Sequence, residues 1–177
     1  MIKITDMIID ERTKDLPITQ ERMTARAIIL NGMDILMAYS RKFDDYMTPG
    51  GGTEDEDFLV ALNREVEEEM GYSIKDIKPI GYIEELRLNE DKSVLYQKSH
   101  YFFASIDKKA IKKLEAYEQA FGLESVWVPI KEVIKHNDQI IEKRIINGIR
   151  GVHPFSTLRR ENEVLKYILR EYLHEKI

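Results

Sequence analysis

Residues 50–72 read GGGTEDEDFLVALNREVEEEMGY, and this stretch decides how the rest of the chain is interpreted. The three glycines predict a loop, and from about Glu56 to Met70 the pattern becomes helical. Gly71 follows where a left-handed C-terminal cap belongs. At the helix start, Thr53 and Glu56 have the spacing of a capping box, although the neighbouring acids could also serve as the cap.

Three glutamates of this helix, Glu65, Glu68 and Glu69, fall within an arc of about 100° on one face. Glu65 and Glu69 are like charges four residues apart, which costs roughly a few tenths of a kcal/mol, and no lysine follows to neutralise them. They also lie in the C-terminal half of the helix, where the helix dipole disfavours anions. A hard cation such as Mg²⁺ would remove this conflict, because it prefers clustered carboxylate oxygens. The alternative is a solvated acidic face.

Upstream of the glycines, residues 24–30 and 35–39 are rich in residues that favour strands. Asn31-Gly32 lies between them and predicts a hairpin, because both positions tolerate positive φ. A short strand at 46–48 then leads into the glycine loop. We therefore expect the loop to be held at the end of a β-structure.

Downstream, the predicted elements are strands at about 77–88 and 94–106 with a turn at 89–92, a helix at 107–121, a strand at 123–128, a short helix opening at Pro129, and a long amphipathic helix at 156–174. Trp127 is interpreted as a core residue, and Arg159-Arg160 as a solvated helix face. These elements predict an α/β (α+β) fold with a mixed β-sheet packed between helices. Residues 1–177 form one predicted domain, with 152–177 as a C-terminal helical extension.

The composition excludes several classes of protein. Of 177 residues, 43% are hydrophobic and 33% charged, as in soluble globular proteins. The net charge is −5 and the basic residues are scattered, so binding to duplex nucleic acid is not expected. The absence of cysteine excludes disulfides, thiolate metal ligands and cysteine nucleophiles. No apolar run is long enough to span a bilayer, so we expect a cytoplasmic protein without a membrane partner.

The acidic helix and its loop resemble the Nudix box, which reads Gly, five residues, Glu, seven residues, Arg-Glu-apolar-x-Glu-Glu-x-Gly-apolar. The box is filled without a gap by Gly50, Glu56, Arg64, Glu65, Val66, Glu68, Glu69 and Gly71. The resemblance to the Nudix hydrolase family implies a Nudix-like α/β/α sandwich with a mixed β-sheet and, here, an extra C-terminal helix. Two features depart from the family pattern: Tyr72 replaces the usual aliphatic residue, and the loop after Pro49 is one residue shorter than in many members.

The resemblance also implies a metal site. Glu65, Glu68 and Glu69 would be ligands of Mg²⁺ (or Mn²⁺), and the carbonyl of Gly50 or Gly51 would be another oxygen donor. The metal would neutralise diphosphate charge and lower the pKa of an attacking water.

Other residues are assigned supporting roles by the same resemblance. Arg64 and Glu56 would brace the loop against the helix and orient the carboxylates. Family members often recruit a general base from outside the box, for which Glu84, Glu85 and Glu124 are candidates, although each is better explained as surface charge.

Three basic residues, Arg26, Arg41 and Lys42, lie on or beside the strands that lead to the glycine loop. They are candidates for charge-assisted contacts with phosphate. The alternative, a solvated edge of the sheet, is favoured for each of them.

The predicted function is metal-dependent hydrolysis of a phosphoanhydride bond in a nucleoside diphosphate linked to another moiety, with ADP-ribose-like compounds and nucleoside triphosphates both open. An isopentenyl diphosphate isomerase is a weaker interpretation, because many of these enzymes use a cysteine that this chain lacks. A non-catalytic domain that senses a nucleotide or binds a partner is the main alternative, but such domains often lose box glutamates. The C-terminal helix could pack on its own domain or form a homodimer contact.

The acidic helix generates a first prediction. Glu68→Gln removes a carboxylate charge without removing volume, so it should lower turnover by about a hundredfold or more while leaving the fold intact. Steady-state kinetics on a hydrolysed nucleotide, together with a thermal melt, measures both effects. Near-normal turnover in this variant would refute the role of Glu68.

Overall fold

The computed structural model describes residues 1–53, 56–89, 91–148 and 152–175, with no account of the side chains of residues 152–156. The described residues form ten strands, four α-helices and one short 3-10 helix. In chain order these are β1 (Ile2–Lys3), β2 (Ile8–Ile9), the 3-10 helix (Glu11–Thr13), β3 (Gln20–Ile28), β4 (Leu30–Asn31), β5 (Asp34–Ser40), β6 (Asp45–Met47), β7 (Gly50–Gly52), α1 (Phe58–Met70), β8 (Tyr72–Leu88), β9 (Val94–Lys109), α2 (Ala116–Phe121), β10 (Leu123–Pro129), α3 (Ile130–Ile146) and α4 (Val152–Glu171).

The strands divide into two sheets. The larger is mixed and has the order β1-β8-β9-β3-β7, with β2 also paired to β8. Within it β3 runs parallel to β9, and β1 and β2 run parallel to β8, whereas β8–β9 and β3–β7 are antiparallel. The smaller sheet is antiparallel, with β5 between β10 and β4 and with β6 also paired to β5. Glycine strand β7 is therefore an edge strand of the larger sheet.

Helices cover both faces of the β-structure. Successive residues of a strand point to opposite faces, so Ala25 and Ala27 of β3 share a core with Leu62 and Val66 of α1. Ile28 belongs instead to the core that β3 shares with α3 and α4 on the other side. The predicted α+β fold with a mixed sheet between helices is thus confirmed, although the strands divide into two sheets rather than one.

The predicted helix at 107–121 is wrong over its first part. Strand β9 continues to Lys109, and only α2 is helical within this range. The reason is long-range pairing, because Lys108 and Lys109 lie opposite Ser73 and Tyr72 at the start of β8. Such cross-strand pairs outweigh local helical preference and are invisible to a pattern read along the chain.

Two predictions near β10 also need correction. The short helix expected at Pro129 is α3, which has 17 residues and buries Ile130, Val133 and Ile134. Trp127 lies on the predicted strand but is 40% exposed, so its assignment to the core is wrong. Its neighbours in β10 alternate with it and pack against the core, as the two-residue period of a strand requires.

The C-terminal helix α4 packs against α3 and the larger sheet. It contributes four fully buried side chains, Val164, Leu165, Ile168 and Leu169, to the core shared with α3. The solvated face predicted at Arg159-Arg160 is half wrong: Arg159 is exposed, but Arg160 is 1% exposed. Among the helices of the described ranges, none combines the length and the apolar character needed to cross a bilayer.

The packing of α4 generates a second prediction. Leu165→Ala should lower the free energy of unfolding by about 2–5 kcal/mol, because it removes a fully buried side chain and leaves a cavity. Lys166→Ala, at the next position on the partly exposed side, is the control and should change it by no more than about 0.5 kcal/mol. Urea unfolding curves measure both. Similar small losses would mean that α4 contributes little to the common core.

Candidate active site

The glycine loop forms the short strand β7, whose residues Gly50 and Gly51 pair with Arg26 and Ala25 of β3. Gly50 has φ 129°, and a side chain there would collide with the carbonyl oxygen of Ala25. A side chain at Gly51 would collide with the carboxylate of Glu65 on α1. Gly50 is therefore required for β7 to lie this close to β3, whereas a side chain at Gly51 would have to displace the Glu65 carboxylate.

Helix α1 begins and ends as its terminal residues dictate. Its N-cap is Asp57, whose side chain accepts a hydrogen bond from the Leu59 N–H at 2.8 Å. The Glu56 N–H donates to the Thr53 carbonyl at 2.6 Å, so Thr53 is not the N-cap that its spacing to Glu56 suggested, and a neighbouring acid, Asp57, takes that role. Gly71 ends the helix in the left-handed region, with φ 76°, as predicted.

Arg64 gathers three carboxylates of the box around one guanidinium. Its Nη1 donates to Glu65 Oε1 at 2.9 Å and to Glu68 Oε2 at 3.2 Å, and its Nε donates to Glu56 Oε2 at 3.2 Å. Burial by itself would lower the pKa of Arg64, but the carboxylates of Glu56 and Glu65 raise it above its ordinary value. Arg64 therefore stays charged and ties the loop before α1 to the acidic face of the helix.

Glu69 faces the glycine strand instead. Its Oε2 accepts a hydrogen bond from the Gly50 N–H at 2.8 Å. Protein surrounds the carboxylate, although part of the side chain remains exposed, and this burial raises the pKa of Glu69 to about 8, against the opposing effects of Arg26 and the Gly50 N–H. Burial raises the pKa of Glu65 as well, against the effect of Arg64. At both carboxylates the effect of burial on the pKa therefore outweighs that of the nearby positive charge.

The three glutamates predicted as metal ligands are close but do not meet at one point. Within the ranges described, no group of three or more carboxylate or imidazole side chains is arranged to hold a metal ion. Glu65 and Glu68 do converge on a single positive centre, Arg64 Nη1, while Glu69 binds Gly50. Carboxylate oxygens that already share one cationic nitrogen fit the ligand preference of a hard divalent cation.

A fourth acidic residue near this face is Glu118 of α2, which is 5% exposed. Its negative charge contributes to the raised pKa of Glu69, whose main cause is burial. Glu118 Oε2 accepts the Glu115 N–H at 2.7 Å, and Tyr117 donates its hydroxyl proton to Glu118 Oε1 at 3.3 Å. Sequence reasoning missed Glu118 because the helix was expected to run through this region, although Glu115 and Glu118 have the spacing of a capping box.

The glutamates proposed outside the box are engaged elsewhere. Their partners are Lys3 and Tyr96 for Glu84, Arg87 and Arg160 for Glu85, and Arg41 for Glu124. The interpretation of Glu85 as surface charge is wrong, because its side chain is fully buried.

Of the three basic residues near the loop, Arg41 and Lys42 are exposed, as the favoured interpretation of a solvated edge predicted, whereas Arg26 is partly buried. Arg26 Nη1 donates to the Thr48 carbonyl at 2.8 Å, Arg41 pairs with Glu124, and Lys42 lies over the rings of Phe43 and Phe121 (centroid distances 5.3 and 5.0 Å). Each of the three therefore already has a partner within the protein.

Arg22 is the basic residue that the sequence analysis missed, because β3 was expected to start at Thr24 and starts at Gln20. Its guanidinium nitrogens lie 3.4 Å from the point where a side chain at Gly52 would begin. Burial of the guanidinium lowers the pKa of Arg22, and the nearby charges of Arg26 and Arg160 lower it further, although the residue as a whole is exposed. Across the described ranges, the guanidinium of Arg22 makes no hydrogen bond or ion pair.

A NUDIX domain model matches residues 20–148, well over half of the chain. The fold is similar to that of a NUDIX hydrolase from Nitrosomonas europaea (20% identity, TM-score 0.54, covering 74% of this chain and 92% of that one). It is also similar to the MutT protein from Bacillus halodurans (22% identity, TM-score 0.52, covering 73% and 84%). No curated protein matches the chain in sequence.

The family match contains the glycine strand, Arg64 and the three glutamates of α1, and the resemblance first read from their spacing is thereby confirmed. The chain belongs to the Nudix family, the hydrolases of pyrophosphate-containing substrates.

Proposed function

We propose that this Nudix hydrolase is metal-dependent and cleaves a phosphoanhydride bond in a nucleoside diphosphate linked to another moiety, as in ADP-ribose-like compounds or nucleoside triphosphates. The observation that carries the proposal is the complete acidic face of α1. Glu65 and Glu68 converge on the Arg64 guanidinium, and Glu69 is held against Gly50. A domain that only senses a nucleotide has no need to keep this cluster of repelling carboxylates.

Glu65, Glu68 and Glu69 are the side chains that would hold Mg²⁺ or Mn²⁺, with the Gly50 or Gly51 carbonyl as a further donor. When bound, the cation supplies charge neutralisation for the diphosphate and lowers the pKa of a water molecule. Arg64 acts as the brace, because it bonds to Glu56 before the helix and to Glu65 on the helix.

The chain's own residues complete the site. Arg22, beside Gly52 and without a protein partner in the described ranges, is the proposed donor to a substrate phosphate. Glu118 adds negative charge near Glu69, which disfavours a phosphate close to that carboxylate. In the reaction, water attacks phosphorus, the anhydride P–O bond breaks, and a carboxylate of the site accepts the water proton.

A product-mass screen over nucleotide substrates with Mg²⁺ or Mn²⁺ tests the function directly. Cleavage should yield two products, each ending in phosphate and together differing from the substrate by one water. Calorimetry on the same compounds measures binding and so tests the alternative, a non-catalytic domain that senses a nucleotide. Tight binding without any turnover would favour the non-catalytic sensing domain.

A third prediction separates a metal site from an acidic surface. In metal-free buffer at neutral pH, Glu69→Gln should leave the melting temperature unchanged or slightly higher, because a carboxyl with a pKa of about 8 is already largely protonated and the amide keeps an acceptor for the Gly50 N–H. With millimolar Mg²⁺ or Mn²⁺, the wild type should gain more thermal stability than the variant, because a metal that binds only the folded protein stabilises it by mass action.

Glu67→Gln is the control for this experiment, because Glu67 is exposed and has the same charge on the same helix. It should respond to metal as the wild type does. Thermal melts of the three proteins at matched ionic strength distinguish a specific metal site from an acidic surface, because diffuse screening by ions does not depend on any one carboxylate. Equal metal-induced shifts in all three would exclude Glu69 as a ligand.

A fourth prediction concerns Arg22. Arg22→Ala should raise KM by roughly tenfold to a hundredfold and change kcat much less, because it removes a charge-assisted contact made equally in the ground and transition states. Arg170→Ala, an exposed position on α4, is the charge-matched control and should leave both constants unchanged. Steady-state kinetics measures kcat and KM separately. An unaltered KM for Arg22→Ala would show that Arg22 does not contact the substrate.

A further inference from the structure

Helix α4 lies beyond the region that matches the family, residues 20–148, yet it contacts the segment between β6 and the glycine strand. The contact is made by Glu161, whose side chain is fully buried. Glu161 Oε2 accepts a hydrogen bond from the Thr48 N–H at 2.8 Å. Thr48 comes directly after β6 and two residues before Gly50, so α4 binds the chain just before the glycine strand.

Successive peptide groups of residues 48–50 are held by different elements. The Thr48 carbonyl accepts from Arg26 Nη1 at 2.8 Å, and the Pro49 carbonyl accepts from the Ala27 N–H at 2.9 Å. The next N–H, that of Gly50, donates to Glu69 at 2.8 Å. Glu161 is the partner that fixes the Thr48 N–H, so a displacement of Thr48 would be passed directly to Gly50.

A chain of buried charges holds Glu161 in place. Its Oε1 accepts from Arg160 Nη2 at 3.0 Å, and Arg160 Nη1 donates to Glu85 Oε1 at 3.1 Å. Glu85 also accepts from Arg87 Nη1 at 3.2 Å. Replacing such a network with apolar residues is often neutral or stabilising, so stability alone does not explain it. A charged acceptor does, however, make a shorter and stronger bond to an N–H than a neutral one.

We propose that Glu161, oriented by Arg160, is a positioning residue for the glycine strand. It fixes the Thr48 peptide from α4 and thereby the Gly50 N–H that binds Glu69 on the opposite face of the sheet. This inference rests on the proposed function in one respect, namely that Glu69 takes part in catalysis. It extends the active site to a helix outside the matched family region.

Two substitutions weaken the hydrogen bond between the Thr48 N–H and Glu161 to different extents. Glu161→Ala removes the acceptor, whereas Glu161→Gln keeps a neutral and weaker acceptor of nearly the same shape. Glu163→Gln is the matched control, because Glu163 has the same charge on the same helix but is 40% exposed in its side chain.

The first measurement is hydrogen exchange of the peptide covering residues 46–53 in metal-free protein, which requires neither substrate nor activity. Exchange at this peptide should rise by roughly tenfold or more for Glu161→Ala and by less for Glu161→Gln, because an N–H that loses its acceptor is exposed to solvent. The Glu163→Gln control should match the wild type. If Glu161→Ala fails to fold, the comparison of Glu161→Gln with the wild type and the control stands by itself.

The second measurement is kcat and KM well below the melting temperature. A positioning role lowers kcat roughly tenfold or more for Glu161→Ala, with a smaller loss for Glu161→Gln and little change in KM. Unchanged loop exchange, uniform exchange changes throughout α4 and the loop, or altered loop exchange with normal kcat would each overturn the proposal. If no nucleotide is hydrolysed by the wild type, the proposed function fails, while the exchange result still decides whether Glu161 holds the loop.

Discussion

The approach of α1 to the glycine strand is the constraint on which the site depends. Glu65 lies where a side chain at Gly51 would begin, and Glu69 bonds to the Gly50 N–H. A Cβ at Gly50 would collide with the backbone of β3, and Gly50 has φ 129°, which side chains rarely adopt; a Cβ at Gly51 would require the Glu65 carboxylate to move. The glycines therefore serve the packing of the helix as much as the turn of the chain. A side chain at Gly51 would displace the Glu65 carboxylate from its position beside the loop.

The acidic face is tolerated because each carboxylate has its own compensation. Arg64 neutralises Glu65 and Glu68, whereas Glu69 has only a backbone N–H and the more distant Arg26. The unequal environments explain why the pKa of Glu69 is raised to about 8 mainly by burial. A buried carboxylate without a direct counter-charge is costly for a stable fold, and such groups concentrate at functional sites.

Much of the fold and part of the site could be predicted from local spacing. The box residues, the helix that bears them and the cap at Gly71 all depend on neighbours within a few residues. The predictions that failed concern features that depend on residues far away in the sequence. The end of β9 depends on pairing with Tyr72 and Ser73, and the burial of Arg160 depends on Glu85, which lies 75 residues away. Arg22 and Glu118 were missed because element boundaries decide which residues lie near Gly52 and Glu69.

The two faces of β3 connect these observations. Ala25 and Ala27 pack under α1, while Arg26 on the other face binds the carbonyl of Thr48. The glycine strand lies at the edge of the same sheet and receives contacts from both sides, from Glu69 of α1 and, through Thr48, from Glu161 of α4. An edge strand has only one neighbouring strand to hold it, so side chains must supply the remaining restraint. In this protein two glutamates from opposite layers do so within three residues, and this explains how a helix beyond the family region can influence the acidic face of α1.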